Sequence, residues 1–309
     1  MGTFRVIRYR ALVGSQLYEI ESVDRRAKRE HEQMGSKLKF WYQSGAKKWL
    51  YKLCRPDTGE DWAEKVAAEV AALLGLPHAH VELAESEGKR GCVSLDFVGE
   101  SELIHGNELL LAEDPQYPAE QFWRVRAHTV ENVLRVVALP GIRPPGSPES
   151  LGMDAAHVFV GYLALDALVG NTDRHHENWG LLRYNGQVAL APTYDHASSL
   201  GRELLDEKRR TLLTERRVAG YARKARSALY ADPSAAKPLS PLAAFLAASA
   251  RVPGSQRAWM ARVASVSVDA LREIIQRVHP ERMSGVAQEF ACQLLLENQR
   301  MLCAERPTR

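Results

Sequence analysis

Cysteine is scarce in this chain: Cys54, Cys92, Cys292 and Cys303 are scattered, with no C-x-x-C spacing among them. That argues against a disulfide framework or a structural zinc site and points to a reduced, cytoplasmic protein. Long apolar runs are also missing, since no window reaches the roughly eighteen residues a membrane span needs. The opening residues, Met1 to Val6, lack the apolar segment of a signal peptide. No membrane association is therefore expected. Charge of one sign is not in excess: the net charge is only +3, so global electrostatics do not argue for direct nucleic-acid binding. No internal repeat is present. What remains is an ordinary globular composition, 45% hydrophobic and 26% charged, in 309 residues, enough for one large core or two lobes.

The informative stretch is 169–180, which places Asp173, His175, His176 and Asn178 within six residues, directly after an apolar run. That run, Phe159 to Val169 within an expected helix over 153–169, reads as buried, and Gly170 as its stop. Asp173 and Asn178 stand in D-x-x-x-x-N spacing, and Asp195 follows seventeen residues after Asn178. Between them Asn185 and Gly186 separate two apolar runs, a strong signal for a type I′ hairpin. A helix, a polar loop, a tight hairpin and then an Asp suit phosphoryl transfer. Asp173 would accept the proton of the attacking hydroxyl, and Asn178 and Asp195 would hold Mg²⁺ through hard oxygens. A zinc site on His175 and His176 is the competing reading. Adjacent histidines rarely share one metal, and no Cys lies nearby.

The run Asn171 to Asn178 resembles the catalytic loop of the HipA-like protein kinases, whose core is D-x-H-x-x-N. It is also similar to the catalytic loop of phosphoinositide kinases, which are usually much larger. The resemblance extends from about Gly35 to Leu200. It implies a serine/threonine protein kinase that uses ATP and Mg²⁺. It also implies a toxin with an antitoxin partner, and a protein substrate, with aminoacyl-tRNA synthetases among the targets. His175 then supports the loop by hydrogen bonding rather than moving the proton. Asp195 is followed by His196 and Ala197, not Phe-Gly, which departs from the DFG type of switch.

Upstream, residues 3 to 23 read as one or two strands and 24–33 as a solvated charged turn. Gly35, Ser36 and Lys37 form a candidate phosphate loop, although it matches neither the Walker nor the G-x-G-x-x-G pattern. The resemblance makes Ser36 the candidate for self-phosphorylation. Lys47 to Leu53 reads as a strand, with Lys52 as the candidate phosphate lysine. A helix is expected from Asp61, as N-cap, to Leu74, with Trp62, Val66, Val70 and Leu73 on one face. Glu69 lies at the edge of that face and Glu64 nearly opposite, so Glu69 is the expected partner of Lys52. Residues 80–84 and 91–98 read as strands, the second leading to a hinge where backbone groups near Asp96 and Phe97 would meet adenine. Residues 112–135 read as polar, helical from Pro118, and 140–148 as a loop. Helices are expected at 242–250, 268–278 and 284–302. Between Arg202 and Arg226, nine Lys and Arg face four acids, which would suit an acidic partner or simply a solvated helix.

The expected fold is α+β, bilobed and protein-kinase-like. Residues 1–100 would form a small N-lobe of sheet plus one helix, and 101–309 a larger, mainly α-helical C-lobe. Two rivals stand beside the protein-kinase reading: a phosphoinositide or small-molecule kinase, and a non-catalytic nucleotide-binding module.

Overall fold

The computed structural model of the protein describes residues 16–24, 28–31, 38–146 and 152–305. The candidate phosphate loop, with Gly35, Ser36 and Lys37, and most of the expected strands before residue 20 lie outside these residues.

Strands β1 (Ile20–Ser22), β2 (Lys28–His31), β3 (Lys39–Ser44), β4 (Lys47–Leu53), β5 (Val81–Ser86) and β6 (Lys89–Leu95) form a six-stranded sheet. Its order is β1-β5-β6-β4-β3-β2, with β1 parallel to β5 and the other pairs antiparallel. The charged segment 24–33 thus holds a strand rather than only a turn, because β2 extends the sheet beyond β3, Lys28 opposite Tyr42. The register of β4 sets Lys52 opposite Cys92 on one side and Lys39 on the other.

One helix, α1 (Glu60–Leu73), packs on this sheet. Its N-cap is Gly59, two residues earlier than expected, and Asp61 is a buried helical residue instead of the cap. Burial runs round the helix: Trp62, Val66 and Val70 are buried, and so are Ala63, Glu64, Lys65, Ala67, Ala68 and Ala71. Alanines on both sides let α1 sit between the sheet and the C-terminal helices. Arg262 from the C-terminal half donates to the Leu74 carbonyl at its end (3.0 Å).

The C-terminal half is built around α4 (Ala155–Val169), buried along its length except at His157. Asp154 caps it by accepting from the His157 N–H, and Gly170 ends it in the left-handed region, φ 69°. Against it pack α7 (Pro241–Ser249), α8 (Ser255–Ser265) and α10 (Gly285–Ala304), with α9 (Val268–Gln276) behind α10. A Cβ on Gly161 would collide with the Trp259 ring, so the small residue permits the close approach of α8. α8 falls between the expected spans 242–250 and 268–278, whereas α4, α7, α9 and α10 match the expected helices closely. The segment 118–129 does not: it is irregular, and the helix there is only α3 (Val130–Val137), started by Thr129, whose Oγ1 accepts from the Asn132 N–H. A short α2 (Gly106–Glu113) precedes it, and α5 (Asp206–Thr214) and α6 (Val218–Lys224) carry the basic stretch.

A second sheet, β7-β9-β10-β8, frames the loop after α4. It comprises β7 (Glu102–His105), β8 (Ile142–Arg143), β9 (Gly180–Tyr184) and β10 (Gln187–Leu190). The hairpin at Asn185-Gly186 forms as expected, with both residues at positive φ (47° and 75°), as a type I′ turn requires. It returns the chain so that Thr193 bridges to His78, just beyond α1. The molecule is therefore a mixed, two-lobed fold: sheet plus one helix above, mainly helices below. No helix among the described residues is long and apolar enough to cross a membrane.

Candidate active site

The loop 171–178 is held from beneath by a buried ion pair. Arg174, fully buried, donates through Nε and Nη2 to the two oxygens of Asp166 (2.8 and 2.7 Å) and through Nη1 to the Asn178 carbonyl (2.7 Å). A bidentate pair of this kind fixes geometry as well as charge. Burial works against the Arg174 charge, but Asp166 outweighs it and raises the pKa above its ordinary value. Asn171, also buried, donates to Asp166 (2.9 Å) and accepts from the Asp173 N–H (3.0 Å). With Arg174 turned into the core, its neighbour Asp173 lines the cleft. Asn178 donates through Nδ2 to the Asp173 carbonyl (2.6 Å). One amide N–H is thus committed to the loop, and the amide oxygen is the acceptor Asn178 can offer to the cleft. Nδ1 of His175 accepts from the Glu177 N–H (3.2 Å), a loop-supporting bond.

Beneath the loop lies a cluster of aromatic and imidazole rings. The Trp179 indole donates to Nε2 of His128 (3.2 Å), so Nδ1–H of His128 donates to the Ala228 carbonyl (3.2 Å). Tyr117 bonds to Nδ1 of His176 (2.9 Å). Both imidazoles are buried. Burial, then the charge of His176, pushes the His128 pKa down to about 3. Burial, then His175, pushes His176 down to about 4. His128 spends both ring nitrogens on Trp179 and Ala228 and has none left for a metal. Among the described residues no group of three or more His, Cys, Asp or Glu is placed to hold a metal ion.

Asp195 sits after β10 with φ 59°, a left-handed conformation that costs a non-glycine residue about 1 kcal/mol. Its neighbours hold it there. The Tyr194 hydroxyl donates to the Glu177 carbonyl (2.8 Å), and His196 is paired with Thr193 Oγ1 (2.7 Å). Lys52 reaches Asp195 at 3.3 Å and Glu64 at 3.9 Å. Burial alone would lower the Lys52 pKa, but the Asp195 and Glu64 carboxylates outweigh it and hold it above the ordinary lysine value.

The helix carboxylate beside Lys52 is thus Glu64, not Glu69. Glu69 pairs with Lys65 (2.8 Å), which also binds Glu82 (2.8 Å), and Glu69 is not among the cleft residues. The expectation assumed that apolar side chains mark the single inward face of α1. The helix is buried on two sides, and Glu64 faces the sheet lysine from the side that apolar periodicity assigns to solvent.

Lys52, Asp173, His175, Asn178 and Asp195 line one cavity of about 1000 Å³. Leu50, Leu95, Leu103 and Val98 supply an apolar end to it, and Phe97 stacks on Tyr194 with centroids 5.4 Å apart. Asp96 closes the hinge turn by accepting from the Val98 and Gly99 N–H groups (2.9 and 3.3 Å). Its side chain therefore shapes the hinge rather than reaching across the cavity. Phe122 and Trp123 stand exposed at the cavity edge, Trp123 at 77%. Residues that sequence reasoning missed are Glu64, Tyr194, Ser198, Arg202 and Glu60, all but Glu64 lining the cavity. A signal for Glu64 was present in the alanines at 63, 67, 68 and 71, small residues on more than one face of the helix.

The model of the HipA-like C-terminal domain matches residues 26–281. The chain belongs to that family. The HipA-like chain is similar in structure to a Helicobacter pylori proinflammatory kinase, CtkA, with TM-score 0.66 and 19% identity. That alignment covers 93% of this chain and 94% of the other. It is also similar to HipA in the Shewanella oneidensis MR-1 toxin–antitoxin complex of HipA, HipB and operator DNA, with TM-score 0.57 and 14% identity. There 93% of this chain aligns with 67% of the other. No curated protein matches the HipA-like chain. At such identities the likeness is one of fold.

Proposed function

We propose that the chain is an ATP-dependent kinase that transfers the γ-phosphate to a serine or threonine hydroxyl of a protein. The observation that carries this reading is the convergence of Lys52, held between Asp195 and Glu64, with Asp173 and Asn178 on one cavity that has an apolar end. The apolar end, walled by Leu50, Leu95 and Leu103 and by the Phe97–Tyr194 stack, suits a flat base. Lys52 is cationic and placed to meet phosphate oxygens. The amide oxygen of Asn178 and the carboxylate of Asp195 are a hard-oxygen pair that fits Mg²⁺, which takes few protein ligands. When bound there, Mg²⁺ would neutralise phosphate charge.

The chain's own groups do the rest. Asp173 takes the proton of the acceptor hydroxyl as its oxygen bonds to the γ-phosphorus and the bond to the leaving ADP breaks. Arg174 and Asn171 hold Asp173 in place from the core, and His175 braces the loop.

An antitoxin partner is proposed by analogy with the HipA that assembles with HipB. Aminoacyl-tRNA synthetases are the first acceptors to try. The test is incubation with γ-labelled ATP and Mg²⁺ in the presence of a cell extract and, separately, of phosphoinositide vesicles, with phosphosites read by mass spectrometry. Label on Ser or Thr of proteins supports the reading. Label in lipid alone supports the phosphoinositide rival, and no label in either supports a non-catalytic module.

A further inference from the structure

Asp173 lies close to one hydroxyl that the motif does not contain. Ser198 Oγ is 3.4 Å from Asp173 Oδ2, the loose spacing common before a substrate closes a site. The same Ser198 Oγ accepts from Nη2 of Arg202 (3.2 Å). Nη1 of Arg202 pairs with Oε1 of Glu60 (2.8 Å), and the Arg202 carbonyl accepts from the Gly59 N–H (2.9 Å). Glu60 in turn accepts from Arg55, through its N–H (3.0 Å) and its guanidinium (3.2 Å). Asp173, Ser198, Arg202, Glu60 and Arg55 all line the cavity.

We propose that Ser198 and Arg202 are positioning residues for Asp173, joining the proton-accepting carboxylate to the start of α1. The proposal rests on the phosphoryl-transfer reading above. Ser198 offers one hydroxyl hydrogen, and Arg202 can only donate. The arginine therefore orients the serine: with Nη2 on its lone pair, the hydroxyl hydrogen is directed at Asp173. That bond sets the orientation of the Asp173 carboxylate in the cleft. At the other end, Glu60 lies one turn before Glu64 on α1, and Glu64 faces Lys52. The chain of bonds makes the orientation of Asp173 depend on the seat of the helix that holds the phosphate lysine. The proton-accepting group and the phosphate-holding group are set by one element.

The position of Ser198 does not depend on its side chain. Its carbonyl accepts from the Thr172 N–H (3.1 Å) and from Thr172 Oγ1 (3.3 Å), so the backbone is pinned to the loop independently. Ser198→Ala therefore keeps the fold and removes only the two bonds of the hydroxyl, to Asp173 and from Arg202.

The experiment measures phosphate released from ATP to water, and label incorporated into the chain itself, for wild type, Ser198→Ala, Ser198→Thr, Arg202→Met and Ser198→Ala/Arg202→Met. Melting temperature is recorded for each. Ser198→Ala is expected to lower kcat by about tenfold, one hydrogen bond's worth of positioning, with KM for ATP within about twofold. Ser198→Thr, which keeps the hydroxyl, restores most of the rate. The double variant loses no more than the worse single variant, because the two act through one bond. A Ser198→Ala loss below threefold, a loss that appears in KM instead of kcat, or strict additivity overturns the proposal. Asp173→Asn is run beside them: if it stays active, the base assignment fails, whereas an inactive Asp173→Asn with an active Ser198→Ala sinks the positioning role alone. A wild-type chain that transfers no phosphate takes both down.

Discussion

Asp173 and His175 are two residues apart and line the same cavity, yet their surroundings give them different roles. His175 spends Nδ1 on the Glu177 N–H, while Asp173 presents its carboxylate to the cleft beside Ser198. Asp173→Asn keeps the shape and removes the charge, and is expected to slow transfer by roughly 10²–10⁴. His175→Gln is expected to slow it less, since an amide can still accept the loop bond. Initial rates with γ-labelled ATP decide the order; a His175→Gln slower than Asp173→Asn would reverse the assignment. The Lys52 pair is tested by a double-mutant cycle. Lys52→Met and Glu64→Gln together are expected to lose less than the sum of the singles, and Glu69→Gln to stay within about threefold of wild type. Additive losses for Lys52 and Glu64, or a Glu69→Gln as damaging as Glu64→Gln, would contradict the geometry. The loop residues are legible in the sequence because their roles sit within one contiguous run. Glu64 is not, because its partner is fixed by how strand β4 and helix α1 pack, and periodicity sees only the helix. Ser198 and Arg202 are ordinary residues until the fold brings Glu60 to them.

Among the elements, α1 is the one tied from both lobes. Arg282, buried in the turn between α9 and α10, reaches Asp61 (3.2 Å), the Ala84 carbonyl (3.1 Å) and Glu85 (3.4 Å). Arg90 binds the same Asp61 at 2.9 Å. With Arg202 on Glu60 and Arg262 on Leu74, the helix is fastened at both ends to the C-terminal half. Arg282→Met should destabilise the protein by about 3 kcal/mol, the low end for breaking a buried pair, because Arg90 still faces Asp61. Denaturant melts check this; a change below 1 kcal/mol would mean that the contact is not a clamp. The elements underneath the loop 171–178 carry a pH dependence. His128 and His176 are depressed from 6.5 to about 3 and about 4, so the unfolded chain binds protons that the folded chain refuses. Stability is full above about pH 6.5 and falls as pH drops from there toward 4. In His128→Gln, whose amide can accept from Trp179 and donate to Ala228, the fall in melting temperature between pH 7.5 and 5 should be shallower. An unchanged slope would show that the ring is not the titrating group. Most helices and the Asn185-Gly186 hairpin are legible in local pattern. The irregular 118–129 and the strand β2 are not, since a polar run reads alike as helix, edge strand or turn until its neighbours are placed.

At the scale of the whole molecule, the fold converts distance in sequence into one cavity. Lys52 comes from the N-terminal sheet, Asp173 and Asn178 from the loop after the central helix, and Asp195 from beyond the hairpin. The two-lobed plan is legible from the order of strands, one helix and then many helices. The joint between the lobes is not, because it is made of single bonds such as Thr193 to Ala79 and Arg202 to Gly59 that leave no pattern. The central claim is that this cavity performs metal-assisted phosphoryl transfer, and Asp195 is the residue on which it turns. Its carboxylate pairs with the buried Lys52, and Glu64 remains beside that lysine when the carboxylate is removed, so Asp195→Ala should melt several degrees below wild type and still fold. The most direct measurement is transfer from γ-labelled ATP with Mg²⁺ by wild type and Asp195→Ala, with melting curves taken on the same samples. The account predicts labelled product from the wild type and none above background from a folded Asp195→Ala. Equal labelling by the two, or a wild-type chain that transfers no label at all, would contradict it.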